Sequence, residues 1–234
     1  MSSPVNANFQ GDLRPISISY DGLARADGSA RFGFGGTVAL ASVSGPIEVR
    51  LAAEQASQAT LEVSVRPLSN VPATESKAQA AAIRSAITPS LILTKNPRTL
   101  IQVVIQNLAS STSIESIERD GQVAAMINSS TLALLNAGSI PMRGVVCAIA
   151  MGKTAGNEFV LDPVEEQAKQ VVEGGCFAFM FADNARWTCV WTNWRATQGS
   201  FKVEDLESAR EIAANAAGRV YETIKSSLTP SELP

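Results

Sequence analysis

Short segments in which apolar and polar residues alternate recur along the chain, and this alternation is typical of half-buried β-strands. It is clearest in residues 13–20 and 61–66. Between them, residues 26–49 predict two strands around a glycine-rich turn, opened by Asp27-Gly28 and closed by a break at Gly45-Pro46. Asp-Gly favours tight turns because these turns require positive φ. The first part of the chain therefore predicts a hairpin within an antiparallel sheet.

Three other segments have apolar residues at the spacing of an α-helix. Residues 74–93 contain a predicted helix with Thr74 as the N-cap, ended or kinked by Pro89. An apolar helix is predicted over residues 122–137, with Gly138 in the C′ position. A long amphipathic helix is predicted over Val203–Leu228, since apolar residues recur there every three or four positions. Pro230 ends this last helix.

Strand patterns also occur on both sides of the second helix. Residues 98–108 are mostly apolar and β-branched, which is typical of a central strand. In the second half the pattern predicts strands over residues 145–151 and 158–161, a loop or short helix over 167–172, and a hairpin of 175–181 with 186–194. This order indicates one α+β domain over residues 13–229, with flexible tails at 1–12 and 230–234.

Composition limits the possible chemistry. Hydrophobic residues make up 45% of the 234-residue chain and charged residues 18%, with a formal net charge of −3. Nucleic-acid-binding proteins are usually basic, so if RNA is the ligand we expect other chains to supply much of the positive field. The sequence contains no histidine, which excludes Ser-His-Asp and Cys-His catalytic sites and most zinc sites.

The cysteines and the N-terminal residues indicate the cellular compartment in which we expect the protein. Cys147, Cys176 and Cys189 form no CxxC pair, which favours free thiols in a reducing compartment. The N-terminal residues lack the basic start and apolar core of a signal peptide, and no apolar run approaches the ~20 residues of a membrane helix. We therefore expect a soluble intracellular protein with no membrane partner.

Two glycine-containing segments resemble phosphate-binding motifs only in part. Gly152-Lys153-Thr154 matches the end of a P-loop, but Cys147 occupies the position of its first glycine. A β-turn with an exposed lysine is the preferred interpretation. Residues 33–36 lack the third glycine and the following helix of a dinucleotide-binding loop.

An acidic cluster is a second candidate site. Asp162, Glu165, Glu166 and Glu173 lie within a short segment, and neighbouring carboxylates can hold Mg²⁺ or act as an acid–base pair. A solvated acidic loop accounts for the same pattern, so both interpretations stay open.

Aromatic and basic residues give weaker signals. Trp187 and Trp191 are predicted to share one face of a strand, with Trp194 opposite, as core or interface residues. Lys77 and Arg84 lie seven positions apart on one predicted helix face. They are weak candidates for RNA binding, and ordinary surface charges are the alternative.

Several motifs, in a fixed order, carry a family resemblance. The chain contains Leu13-Arg14-Pro15-Ile16, the ADGS…GxTxV…VxGP pattern of residues 26–46, residues 96–101 (NPRTLI), Asp120-Gly121 before a helix of small residues, and Leu161-Asp162-Pro163 followed by Glu173. This order resembles the RNase PH family of phosphorolytic 3′ exoribonucleases, and within it a eukaryotic core subunit of the RNA exosome. The resemblance implies an RNase PH-like α+β fold with a left-handed β-α-β crossover.

The resemblance also implies that catalytic residues are replaced. Active members carry a phosphate-binding arginine where this chain has Ala124, and a second arginine near the position of Glu75. Two catalytic aspartates correspond to Gln167 and Glu173. Phosphorolysis needs cationic groups to bind and orient phosphate, so this pattern implies a degenerate site with no cofactor and no metal.

The implied function is that of a non-catalytic structural subunit. Its implied partners are other RNase PH-like subunits of the exosome ring, caps of the S1/KH type, and single-stranded RNA in the assembled channel. The implied locations are nucleus, nucleolus and cytoplasm. Two alternatives stay open: an active phosphorolytic exoribonuclease that uses Lys77 or Arg119 to bind phosphate, and a small-molecule enzyme that uses Mg²⁺ at the Asp162–Glu173 cluster.

Overall fold

A computed structural model describes residues 9–10, 13–20, 22–68, 73–108, 116–182, 186–197 and 199–228. The strands are β1 (Phe9–Gln10), β2 (Ile16–Ser19), β3 (Gly28–Phe34), β4 (Thr37–Glu48), β5 (Thr60–Arg66), β6 (Thr99–Asn107), β7 (Val145–Thr154), β8 (Phe159–Leu161), β9 (Val171–Ala182), β10 (Arg186–Thr192) and β11 (Arg195–Ala196). The α-helices are α1 (Thr74–Ile87), α2 (Ser116–Ala137), α3 (Glu165–Ala168) and α4 (Val203–Leu228).

Two sheets hold these strands. The first has the order β2-β3-β4-β6-β5, in which only the β5–β6 pair is parallel. The second has the order β1-β8-β7-β9-β10, with β11 paired to β9. Helix α1 connects β5 to β6 and packs on β5, so the parallel pair is a β-α-β unit. The predicted α+β class and the central position of β6 are confirmed.

Helix α2 lies between the two sheets. It contacts β3 and β4 of the first sheet and β7 and β9 of the second. Residues 120–134 of the helix are all buried, so the helix is enclosed on every side, which explains its dense small and apolar residues. Gly28 permits this close packing, because a Cβ there would lie 2.4 Å from the carbonyl oxygen of Ala133.

Helix α4 covers the other face of the second sheet. It contacts β7 and β9, and its buried residues recur at helical spacing from Ala209 to Ile224. The bounds of α4 match the prediction. None of the helices in the described ranges is long and apolar enough to span a membrane.

The Gly45-Pro46 step is not the end of a strand. Strand β4 continues through it to Glu48, and the pairing with β6 shifts register between Ser44 and Ile47, which is a β-bulge. Gly45 adopts φ 152°, and the backbone N–H of Gly45 donates to Asp27 Oδ2 at 2.7 Å. The predicted break is therefore wrong, and the Asp27 side chain stabilises the bulge.

Several element bounds differ from the predictions. Ala73, not Thr74, is the N-cap of α1, and no side chain caps this helix. Helix α2 begins at Ser116, so Asp120-Gly121 lies inside the helix and not before it. Within the predicted N-terminal tail, Phe9–Gln10 pairs in parallel with β8. The rest of residues 1–12 and residues 230–234 lie outside the described residues, so the domain bounds stay predictions.

Lys153 is not an exposed turn residue. It lies in β7 with 7% of its surface exposed, because β7 extends to Thr154. Its Nζ atom is 2.6 Å from Asp205 Oδ2 in the first turn of α4. The predicted exposed lysine is therefore wrong, and the ion pair connects α4 to the second sheet.

A bulge in β10 separates two tryptophans that the sequence placed together. Trp187 lies opposite Phe181 and Trp191 opposite Ala178, because the register shifts between Cys189 and Trp191. Paired residues share a face and successive residues alternate, so Trp187 and Trp191 lie on opposite faces. Trp194 is buried against Phe177, on the same face as Trp187. The predicted arrangement of faces is wrong, but the structural interpretation of Trp194 agrees with its burial.

Candidate functional site

The first turns of α2 carry a buried carboxylate that is held from the second sheet. Asp120 is 2% exposed, and its Oδ2 atom accepts a hydrogen bond from Arg195 Nη2 at 2.9 Å. Its Oδ1 atom accepts from Asn193 Nδ2 at 2.8 Å. Burial raises the pKa of the Asp120 carboxyl, and the hydrogen bond and charge of Arg195 oppose that shift. Asp120 is thus fully engaged by neighbours within the chain.

A second buried pair also lies against α2. Arg14 donates to Asp162 through Nε, at 2.5 Å from Oδ2, and through Nη2, at 2.6 Å from Oδ1. This bidentate pair lies against Gly121, where an added Cβ would be 3.6 Å from Asp162 Oδ1. Burial raises the pKa of the Asp162 carboxyl, against the lowering effect of Arg14. Asp162 is 2% exposed, so a solvated acidic loop is the wrong description of this residue.

A shallow cleft of about 290 Å³ opens beside Asp120, between α1, α2 and β10. Its lining includes Glu75, Arg119, Val123, Trp191 and Arg195. Arg119 Nε lies 3.4 Å from Glu75 Oε1, and both side chains are about half exposed. The arginines around the first turns of α2 thus each face a carboxylate: Arg14 with Asp162, Arg195 with Asp120, and Arg119 with Glu75.

The positions predicted to replace catalytic residues do not meet in this cleft. Ala124 is fully buried in α2 among the core residues, and Glu75 lines the cleft. Gln167 lies on α3, where its Oε1 atom accepts a hydrogen bond from the Val164 N–H at 3.3 Å. Glu173 lies on β9, opposite Lys153 of β7 and Ala196 of β11. Gln167 and Glu173 are absent from the described lining of the cleft.

The described members of the acidic cluster do not assemble into a metal site. Among the described residues, no group of three or more carboxylates and cysteines is close enough to hold an ion. The Asp162 carboxylate is paired with Arg14, whereas Glu173 lies on β9. The Oε2 atom of Glu173 is buried and has no hydrogen-bond partner in the described ranges.

The two weak RNA-binding candidates, Lys77 and Arg84, do share a groove. Both line a cleft of about 700 Å³ between α1 and the β5 edge of the first sheet, together with Arg50. This cleft is separate from the one beside Asp120, whose lining shares no residue with it.

The sequence alone does not indicate which residues form ion pairs in this site. Arg14 and Asp162 are 148 positions apart, and Asp120 and Arg195 are 75 apart, so no local pattern connects them. The only available signal was that Arg14, Asp120 and Asp162 each belong to a motif shared with the family. Asn193 and Arg195 gave no signal, because their role depends on how β9, β10 and β11 pair.

Comparisons with known proteins agree with this architecture. The sequence model of the 3′ exoribonuclease family (RNase PH), domain 1, matches residues 12–139. The exosome complex component rrp46 of Schizosaccharomyces pombe is 40% identical over 129 residues, which cover 54% of this chain and 53% of that protein. The chain thus spans about half the length of this relative.

Two further relatives are matched over more of their length. The exosome complex exonuclease RRP46 homolog of Oryza sativa is 29% identical over 174 residues, covering 74% of this chain and 68% of that protein. The exosome complex component RRP41 of Homo sapiens is 33% identical over 176 residues, covering 70% and 68%.

Solved structures show the same fold. The crystal structure of rice Rrp46 matches with a TM-score of 0.79 and 26% identity, covering 93% of this chain and 95% of that one. An archaeal exosome core matches with a TM-score of 0.71 and 17% identity, covering 92% and 87%, which supports the fold alone. With the family match over more than half of its length, this chain belongs to the 3′ exoribonuclease family, RNase PH.

Proposed function

We propose that this chain is a non-catalytic structural subunit of the exosome core ring. Its relatives in fission yeast and human are named as exosome complex components, and the rice relative as an exosome complex exonuclease homolog. The observation that carries the non-catalytic part is the pairing of Arg14, Arg119 and Arg195, each of which faces a carboxylate of the same chain. A phosphate ion entering here would meet arginines whose charge is already balanced by a carboxylate.

Charge at the replaced positions supports the same proposal. The methyl group of Ala124 is buried in the core and offers phosphate no hydrogen bond, and Glu75 places negative charge in the cleft beside Asp120. A hydrogen bond to a charged group contributes about 1.5–3 kcal/mol. The loss of two phosphate-binding arginines therefore removes roughly 3–6 kcal/mol, or about two to four orders of magnitude in rate, at 1.36 kcal/mol per tenfold.

A second candidate function is phosphate-dependent 3′ exoribonuclease activity. The name of the rice relative, an exosome complex exonuclease homolog, favours it. This activity would need Arg119 or Lys77 to bind phosphate. Arg119 faces Glu75 across 3.4 Å, and Lys77 lines the other cleft, so neither is positioned beside Asp120 as a free cation.

As a ring subunit, the chain would help to form a channel for single-stranded RNA. It would contact other RNase PH-like subunits and S1/KH caps, and act in rRNA maturation, RNA surveillance and mRNA turnover in nucleus, nucleolus and cytoplasm. The negative net charge of −3 suits a subunit whose neighbours supply cations to the channel.

Native mass spectrometry of the complex purified from its own cells tests this assembly. The proposal predicts that the chain is recovered at one copy per complex with other RNase PH-like subunits. Recovery only as a free monomer, or only as assemblies of itself, would show that it is not a ring subunit.

A further inference from the structure

The groove that contains Lys77 and Arg84 lies along a sheet edge. Among the strands that the structure describes, β5 is the last of its sheet and pairs only with β6. Alternate residues of a strand point their N–H and C=O groups away from the neighbouring strand. In the part of the chain that is described, the backbone of β5 forms no hydrogen bond with any residue outside β6. A row of donors and acceptors is therefore available along β5.

About half of the residues that line this groove are aliphatic. Leu61 and Val63 of β5 face Ala80 and Ala81 of α1, and Leu100 of β6 adds to the lining. At one end, the turn of residues 51–53 contributes Ala53, and the neighbouring Leu51 is 88% exposed. A space of about 700 Å³, which we call the trough, is open to solvent between helix and strand.

Cations surround this trough. Lys77 and Arg84 lie on α1, about 10 Å apart along the helix axis at 1.5 Å per residue, and Arg50 lies beside the turn at one end. No ion pair involves these three side chains in the described residues. Glu62 is the one carboxylate in the described lining. The groove is thus positive in a chain whose net charge is −3.

We propose that β5 accepts an extended acidic segment of another protein as an added strand, between the edge of the sheet and α1. Main-chain hydrogen bonds to β5 would supply affinity, as in other peptide complexes that extend a sheet. Successive side chains of a strand alternate between the two faces of a sheet. The acidic side chains of the segment would point to the α1 side and face Lys77 and Arg84, and its apolar side chains would point to the face that carries Leu100. This inference does not depend on the proposed ring function.

The lining favours a peptide over RNA. Proteins that bind single-stranded RNA without sequence preference stack bases on aromatic side chains, and no aromatic side chain is in the described lining of the groove. Glu62 would repel a phosphate backbone, whereas a peptide can avoid it by its choice of side chain. The free backbone of β5 also matches a peptide main chain and not a sugar-phosphate chain.

Fluorescence anisotropy with the full chain tests the proposal. The probe is a labelled ten-residue peptide in which glutamate and valine alternate, and the comparison probes are the lysine–valine peptide of the same length and a ten-nucleotide single-stranded RNA. We expect the acidic peptide to bind and the basic peptide to bind at least tenfold more weakly. Hydrogen exchange should slow at amides of residues 60–66 when the acidic peptide is added.

Two double variants separate the groove from general charge. Lys77→Glu with Arg84→Glu should weaken binding of the acidic peptide at least tenfold. Arg186→Glu with Lys202→Glu makes the same change of charge at exposed positions outside the groove and should leave binding within twofold. Circular dichroism checks that both variants are folded.

Three outcomes would overturn the proposal. One is equal binding of the acidic and basic peptides, or binding of neither. Another is RNA binding that requires Lys77 and Arg84 while the acidic peptide does not bind, which would assign the groove to RNA. The third is self-association of the chain, measured by analytical ultracentrifugation, that the groove variant abolishes, which would make a second copy the occupant.

Discussion

At the scale of single residues, buried ion pairs define the region around the first turns of α2. Asp162 and Asp120 are each 2% exposed, and each is bound by an arginine that is distant in sequence. Each aspartate belongs to a motif of the family, but only the fold shows that each one forms an ion pair with an arginine. The sequence predicted that the chain lacks two phosphate-binding arginines, and it could not reveal that other arginines nearby already face carboxylates.

Removal of the Asp162 charge should destabilise the protein. Asp162→Asn leaves Arg14 without its anion, and breaking a buried pair in this way costs about 3–5 kcal/mol. We expect the lower end of that range, because 24% of the Arg14 side chain is exposed. Urea unfolding followed by circular dichroism measures the change. Glu75→Gln is the control, since its exposed pair with Arg119 should contribute less than about 1 kcal/mol; equal losses would contradict this account.

The pair between Lys153 and Asp205 should respond asymmetrically to substitution. Asp205→Ala leaves an almost buried ammonium group unpaired, which should cost about 3 kcal/mol. Lys153→Met removes that charge and keeps its aliphatic length, and Asp205 keeps 20% exposure of its side chain. We therefore expect less than about 1.5 kcal/mol for Lys153→Met, within the range for volume-conserving changes. Thermal unfolding of both variants measures the difference, and a larger loss for Lys153→Met would contradict the assigned burial.

At the scale of elements, the apolar periodicity of the sequence predicted most strands and helices, but it did not predict the β-bulges. The predicted β6 and α4 agree with the structure because a long, regular apolar pattern specifies them. The bulges in β4 and β10 have no such pattern. Each inserts residues that shift the register, so Trp191 faces the side of the sheet opposite to the one its spacing from Trp187 predicts. Pairing partners, and not local sequence, decide these positions.

The bulge at Gly45 gives an element-scale prediction. Gly45→Ala places a Cβ at φ 152°, only 2.8 Å from the carbonyl oxygen of Leu100 on β6. Backbone strain of this kind costs about 1–3 kcal/mol, before the steric overlap is counted. Gly36→Ala in the same hairpin is the control, because an added Cβ there has no neighbour within 4 Å. Chemical denaturation should show a loss of at least about 2 kcal/mol for Gly45→Ala only; equal effects would exclude a special role for the bulge.

At the scale of the whole molecule, the residues that specify the fold are different from the residues that would carry catalysis. The motif order predicted the RNase PH fold because its glycines, prolines and apolar positions specify turns and core. Such residues can remain in a chain whose catalytic groups are replaced, as we propose here, since fold does not determine function. Helix α2, for example, packs between both sheets, and Ala124 is one of its buried core residues.

Assay of the isolated chain for phosphate-dependent RNA decay shows whether the chain is catalytic. The purified chain is incubated with single-stranded RNA and inorganic phosphate, and nucleoside diphosphates are separated and counted by chromatography. We predict no phosphate-dependent release above the background of a phosphate-free reaction, and the same result for Glu173→Ala. Release of nucleoside diphosphates that requires phosphate, and that Glu173→Ala abolishes, would contradict the account and assign the chain as an active exoribonuclease.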